Sequence, residues 1–596
     1  MFPRWNEHTR KRLIRIWRST VFIQLIALFI FVPSVIRWYK DIGPLPELLA
    51  HYSFAMFGWL LLGAAISHVH ARAAVAMAMT LSYTVEAFLC AYELKAGFAP
   101  SMHFILDSHS AAIPAAIAVL GMPKMILVFV ALSTIALWSL ALFRAALRRA
   151  NEFNRVRRGR VMVTTIACAA IGITLIFAFG RVPERMTNDI QLNNIRRDIP
   201  MIFPENGGFS TKSDDNVFIV QLESVNALAL EGTLDGATPD ATFRRTIAPV
   251  LSSLTERGVF FPLFWGNAMM TNRAQESILC RVVRNVQVAI SFELENLIGT
   301  CLPHAFERSG YDAFAYRSDD LEFSNQGAFL FRTGFEAVHN QDIGRPDDVF
   351  GSFGYDDCTF YARSFEHLRS VSTERSKTFV YVEVVSNHYP FRYETKARSK
   401  PFPHPSTFRE NLLNSIAAQD ECLGVFMEGY DAFAPESSHL FIMPDHSWPS
   451  GYNGSTFNST GASPENFLVN LLYVPPAGRA GYDRGSIAEE RFSQTDIMGT
   501  IFDLLNGTSS AQSFAWRLRG ETKPSDYENC HVLTQPYDNG NVVVVRGNEY
   551  FLYKLVDRTI TLVDLAHDLR GDSPSIVEQN VNFTTFWEKY GCEKYR

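Results

Sequence analysis

The chain has 596 residues, more than one hydrophobic core organises, so at least two domains are expected. Its formal net charge is −6 with 47% hydrophobic residues. That balance gives no support to nucleic-acid binding, and the apolar residues are concentrated in the first 180 positions in runs long enough to cross a bilayer.

Five such runs are expected to be membrane helices: residues 20–38, 52–69, 73–90, 125–143 and 161–180. The apolar stretch 104–121 is broken by Asp107, His109 and Pro114 and reads as an interfacial helix rather than a sixth span. Positive charge alternates as cytoplasmic loops require. Arg4, Arg10, Lys11, Arg12, Arg15 and Arg18 precede the first span, Arg72 lies in the second loop, and Arg144, Arg148, Arg149, Arg155, Arg157, Arg158 and Arg160 fill the fourth. An odd number of spans then puts everything after Gly180 in the periplasm or outside the cell. No cleavable signal is apparent, because the first 18 residues are too polar and no small-residue cleavage site follows. Glu86, an ionisable residue toward the outer end of the third span, is either a substrate-related group or one that snorkels to the interface.

Residues 183–213 are polar and aperiodic and read as a linker following a transmembrane domain, 1–182. From Asp214 short apolar runs alternate with amphipathic helical stretches, which predicts an α/β domain over 214–507 with a mainly parallel buried sheet. Strands are expected at 217–222, 259–264, 378–385, 440–443 and 467–474, and a helix at 277–286. The segment 493–496 reads as an N-terminal cap for a helix at 497–505. Beyond Gly507 strand-like runs at 541–545, 550–556 and 559–563 predict a small antiparallel C-terminal subdomain, 508–596.

Three of the strands end in polar clusters: Glu223-Ser224, Ser386-Asn387-His388 and Asp445-His446. Ligands of open α/β sheets bind at the carboxyl ends of strands, so these clusters are expected to converge. Glu223, Asp445 and His446 offer two carboxylates and an imidazole, a donor set suited to Mn²⁺, Zn²⁺ or Mg²⁺. Taken singly, each reads equally as a cap, a surface charge or a structural pair. Thr271 is the expected nucleophile. It falls near a helix start, where backbone N–H groups favour a bound phosphate, and a bound metal would activate its hydroxyl. The alternative is that Thr271 is a helix cap. Six of the eight cysteines lie in the exported part, which predicts disulfides, with Cys280–Cys301 and Cys530–Cys592 the favoured pairings and buried free thiols the alternative.

The stretch ending in Leu222-Glu223-Ser224, the Thr271 segment, Ser386-Asn387-His388-Tyr389-Pro390-Phe391 and Pro444-Asp445-His446 resemble the core motifs of the lipoteichoic acid synthase group of the alkaline phosphatase and sulfatase superfamily. Ser493-Gln494-Thr495-Asp496-Ile497 resembles the superfamily's late motif. The resemblance implies that Glu223, Thr271, Asp445 and His446 bind one metal, Mn²⁺ or Mg²⁺ in the typical case, and that His388 lies beside the substrate phosphate. It also implies that Asp319 holds a headgroup. Ser324 and Gln326 stand where the synthases carry a tryptophan and an arginine, so Arg317 or Arg273 would have to supply the missing positive charge.

The expected activity is therefore transfer of glycerol phosphate from phosphatidylglycerol to a glycan or polymer acceptor through a phosphothreonine intermediate. A phosphoethanolamine transferase is the nearest alternative, and a non-catalytic binding or sensor module the alternative of another class. A sulfatase would need a Cys/Ser-x-Pro-x-Arg setting for its nucleophile, which Thr271-Asn272-Arg273-Ala274-Gln275 does not supply.

Overall fold

A computed structural model describes residues 208–231, 241–284, 301–322, 325–348, 354–372, 377–388, 391, 397–433, 435–447, 462–535, 541–555, 557–569 and 573–595. The five expected spans, the stretch 104–121, Glu86, Ser324 and most of the 183–213 segment lie outside these residues. Among the described residues no helix is long and apolar enough to cross a membrane.

The larger sheet has eight strands: β1 (Asn216–Leu222), β2 (Val259–Trp265), β3 (Asp312–Arg317), β4 (Ala337–His339), β5 (Thr378–Glu383), β6 (Ser438–Pro444), β7 (Leu468–Val474) and β8 (Gly485–Ser486). Their order is β4-β3-β5-β1-β6-β7-β2-β8. The run from β4 to β6 is parallel, whereas β7 pairs antiparallel with both β6 and β2.

All seven residues of β1 are buried, because both faces of the sheet are covered. Val217 and Ile219 face one core together with helices α1 (Thr271–Cys280) and, at the far end of the domain, Ile497–Asn506. Phe218 and Val220 face the other, under helices α2 (Asp357–Val371) and α3 (Phe408–Asp431). The starts of α2 and α3 are satisfied locally. Asp356 accepts from Thr359 N at the start of α2, and Thr407 and Glu410 form a reciprocal cap on α3. Caps of this kind contribute about 1 kcal/mol each.

A second, antiparallel sheet follows, ordered β13-β12-β11-β10-β9, from β9 (Cys530–Gln535), β10 (Asn541–Arg546), β11 (Glu549–Lys554), β12 (Thr559–Asp564) and β13 (Ser575–Glu578). Both disulfides favoured from sequence are formed, and a third, Cys358–Cys422, ties α2 to α3.

Two expectations shift. The helix expected at 277–286 is displaced toward the N-terminus: α1 begins at Thr271 itself and stops at Cys280, where Arg281 adopts a left-handed conformation (φ 59°). The end of the expected linker is already packed: Phe209 stacks on Phe502 at 5.3 Å, and the hydroxyl of Tyr311 donates to the Ser213 carbonyl.

Candidate metal and phosphoryl-transfer site

Glu223, His388 and Asp445 follow β1, β5 and β6, which are adjacent in the sheet, so the three polar clusters meet along one edge. Ligand atoms of Glu223, Asp445 and His446 all lie within 4.8 Å of one another, and all three residues are buried. Nε2 of His446 is 3.4 Å from Oδ2 of Asp445 and 3.9 Å from Oε1 of Glu223.

The loops that carry these groups are fixed by hydrogen bonds. Oδ1 of Asp445 accepts from the backbone N–H groups of Ser224 (2.9 Å) and His446 (2.7 Å), which leaves Oδ2 buried with no hydrogen-bond partner. Nδ1 of His446 faces the Ser447 carbonyl at 2.9 Å; donating to it, the ring turns a lone pair on Nε2 toward the two carboxylates. Ser224 is held at φ 50°, a left-handed conformation that costs a non-glycine residue about 1–2 kcal/mol. The amide of Asn387 offsets this by donating to the carbonyls of Glu223 and Ser224.

Burial, and then the neighbouring Asp445 carboxylate, push the Glu223 carboxyl well above its usual range. Two buried carboxylates facing one imidazole nitrogen need a cation to ionise together. The donor set and the orphaned Oδ2 of Asp445 therefore fit a divalent metal, held by Glu223, Asp445 and His446 with the Thr271 hydroxyl as the further expected ligand.

Thr271 is the first residue of α1, behind an extended Met270, and no side chain caps that helix start. One turn on, the amide of Gln275 donates to Glu383 at the end of β5, which anchors α1 against the strand ends. His388 is half-buried in the loop after β5, its backbone N–H donating to the Val385 carbonyl at 2.9 Å.

The structure changes the picture of the expected headgroup residues. Arg317 is buried at the end of β3, its guanidinium shared between Asp319 (2.5 Å) and Glu383. It acts as the counter-ion of these two buried groups. Arg273 is buried too and donates from Nη1 to the Arg284 carbonyl at 3.1 Å. Asp319 is positioned by Asn340, whose amide donates to the carbonyls of Arg317 and Asp319. Sequence reasoning missed Glu383 and Gln275, which carry no motif and appear only as strand and helix positions. It also read Gln494 as part of a helix cap.

Residues 215–508 match the sulfatase family model. A domain of the sulfatase kind implies an enzyme of the phosphoryl or sulfuryl transfer kind. Among solved structures, the chain is similar to a protein of the alkaline phosphatase superfamily from Vibrio parahaemolyticus, at 17% identity over 68% of this chain and 97% of that one (TM-score 0.50). It is also similar to the lipoteichoic acid synthase LtaP from Listeria monocytogenes, at 17% identity over 68% and 95% (TM-score 0.47). A third similar structure is the phosphonate monoester hydrolase of Agrobacterium radiobacter, at 13% identity over 60% and 91% (TM-score 0.42). No curated protein matches the chain in sequence.

Proposed function

We propose that this protein is a membrane-bound phosphoglycerol transferase that moves glycerol phosphate from phosphatidylglycerol to a glycan or polymer acceptor outside the cytoplasm. The observation that carries the reading is the buried Glu223–Asp445–His446 cluster, with α1, which begins at Thr271, anchored through Gln275 to Glu383 at the end of the adjacent β5. A divalent metal bound there supplies positive charge to the transferring phosphoryl group and lowers the pKa of a coordinated hydroxyl.

The chain's own part has two steps. The Oγ of Thr271 attacks the lipid phosphorus, an O–P bond forms, and the bond to diacylglycerol breaks with a proton passing to the departing oxygen. An acceptor hydroxyl then attacks the phosphothreonine diester, loses its proton and releases the Thr271 hydroxyl. His388, half-buried in the loop after β5, is the group assigned to carry a proton in one of these steps. The first backbone N–H groups of α1 favour the phosphate's negative charge. Five spans in residues 1–182 would hold this site near the leaflet that contains the donor, raising its local concentration.

Thr271 lacks the Cys/Ser-x-Pro-x-Arg surroundings of a sulfatase nucleophile, which favours phosphoryl over sulfuryl transfer. The test is intact-mass analysis after incubation with Mn²⁺ and phosphatidylglycerol, alongside Thr271→Ala. A gain of one glycerol phosphate in the native protein alone supports the reading. A gain only with phosphatidylethanolamine would make the protein a phosphoethanolamine transferase, and no gain with either would favour a binding module.

A further inference from the structure

Gln494 lies outside the metal cluster yet joins its two halves. Its side chain is fully buried, and its amide uses both ends. Oε1 accepts from the backbone N–H of Asn267 at 3.1 Å, four residues before Thr271. Nε2 donates to the carbonyls of Pro444 (3.0 Å) and Asp445 (2.6 Å), on the loop that carries two of the three cluster residues.

The next residue extends the grip. Thr495 N donates to Oδ1 of Asn267 at 3.0 Å, and the Thr495 carbonyl accepts from Nε of Arg281 at 3.3 Å, just past the other end of α1. The turn 493–496 thus holds the nucleophile helix from before its first residue and after its last, and Gln494 bonds that assembly to the Asp445 backbone. The turn is itself braced from behind. Asp496 pairs with Lys594 at 2.9 Å, and the Thr495 hydroxyl bonds that of Tyr595 at 2.7 Å. A capping role alone would not require Gln494, because the reciprocal cap on this turn is made by Ser493 and Asp496.

We propose that Gln494 is a positioning residue that fixes the distance between the Thr271 helix and the Asp445–His446 loop, so that nucleophile and metal ligands stay in register. The inference rests on the reading of Thr271 as nucleophile and of the cluster as a metal site. An error near 1 Å between reacting groups costs about 100-fold in rate, and loss of a residue that orients metal ligands costs about 10–100-fold in affinity.

The test uses the full chain in detergent, with Mn²⁺ and the chromogenic diester bis(4-nitrophenyl) phosphate, comparing wild type, Gln494→Met and Thr271→Ala. Methionine fills the volume of glutamine without its hydrogen bonds. Gln494→Met is expected to stay folded, to lose about 30–100-fold in kcat with KM changed less than about threefold, and to bind Mn²⁺ about 10-fold more weakly with an altered electron paramagnetic resonance spectrum. Native kcat and Mn²⁺ affinity per folded molecule would overturn the positioning role while leaving the reading of the reaction intact. A wild-type chain that binds no Mn²⁺, or a Thr271→Ala variant with native turnover, would overturn the reading of the site and the positioning role with it. Should Gln494→Met fail to fold, Gln494→Asn decides on the same measurements, since its amide is too short to span both loops.

Discussion

Arg317 and Glu383 stand directly opposite one another in the register of β3 and β5, and their side chains form an ion pair under the candidate site. Arg317 also holds Asp319, so one buried cation serves two buried carboxylates. Removing it in Arg317→Met strands both, and the expected loss is about 3–5 kcal/mol. Burial already raises the Glu383 carboxyl above its usual range, so the folded state holds its proton more tightly than the unfolded one. Because the wild-type carboxyl, raised to about 8, ionises in the folded state only near that pH, the penalty should grow as pH rises through about 8 and be smaller at pH 5 than at pH 9, as urea denaturation at the two pH values would show.

Asp445→Asn separates metal binding from packing. The amide keeps Oδ1 and both backbone hydrogen bonds to it, while the orphaned Oδ2 is replaced and one of two neighbouring negative charges disappears. In metal-free buffer the variant should melt within about 3 °C of wild type or above it. The upward shift in melting temperature that Mn²⁺ gives the wild type should be absent. A preserved Mn²⁺ shift would remove Asp445 from the ligand set.

The Asp215 carboxylate receives both Nη atoms of Arg479 at 2.6 Å. Burial pushes its carboxyl up, but hydrogen bonds from His439 and Arg479 outweigh that and bring it from 3.8 down to about 2. A depressed carboxyl stabilises the fold above the unfolded pKa, and the contribution fades as pH falls through the folded one. Because Arg479 is half-exposed and screened, Arg479→Met should cost only about 1 kcal/mol at pH 7. The difference should hold down to about pH 4 and close toward pH 2, where acid titrations of both proteins would converge.

Cys358 and Cys422 are 64 residues apart in sequence, and their bond links the two helices that cover one face of the sheet. In the chain-entropy account a loop of that length contributes about 4 kcal/mol. The double variant Cys358→Ser/Cys422→Ser should lose that much in guanidinium denaturation. Loss of well under 1 kcal/mol would mean that packing between α2 and α3 alone fixes them.

The parallel sheet was legible because β1, β5 and β6 are short, mainly apolar runs, and the cluster residues were legible because they sit where those runs stop. Two of the three disulfides among the described residues are favoured from sequence; Cys358–Cys422 is not, although its separation of 64 residues is close to the 62 of Cys530–Cys592. The start of α1 was displaced in the sequence reading because Asn272, Arg273, Gln275 and Glu276 look like solvent-facing residues. They are buried, and three of them meet partners distant in the pattern: Gln275 bonds Glu383, Arg273 donates to the Arg284 carbonyl, and Glu276 pairs with Arg284. Gln494 and Arg317 show the same limit. Their roles depend on partners 49 and 66 positions away, and no periodicity records such pairings.

The brace behind the turn 493–496 also sets a clock. Glu223 lies near the beginning of the domain, but the Thr495 hydroxyl finds its partner only in Tyr595, roughly 370 residues after Glu223. At about 5–20 residues per second, ribosomal synthesis takes about 20–70 s to cover that interval. During this time the first metal ligand has been made while the brace has not. The turn that joins the Thr271 helix to the Asp445 loop is thus unbraced throughout most of the domain's synthesis.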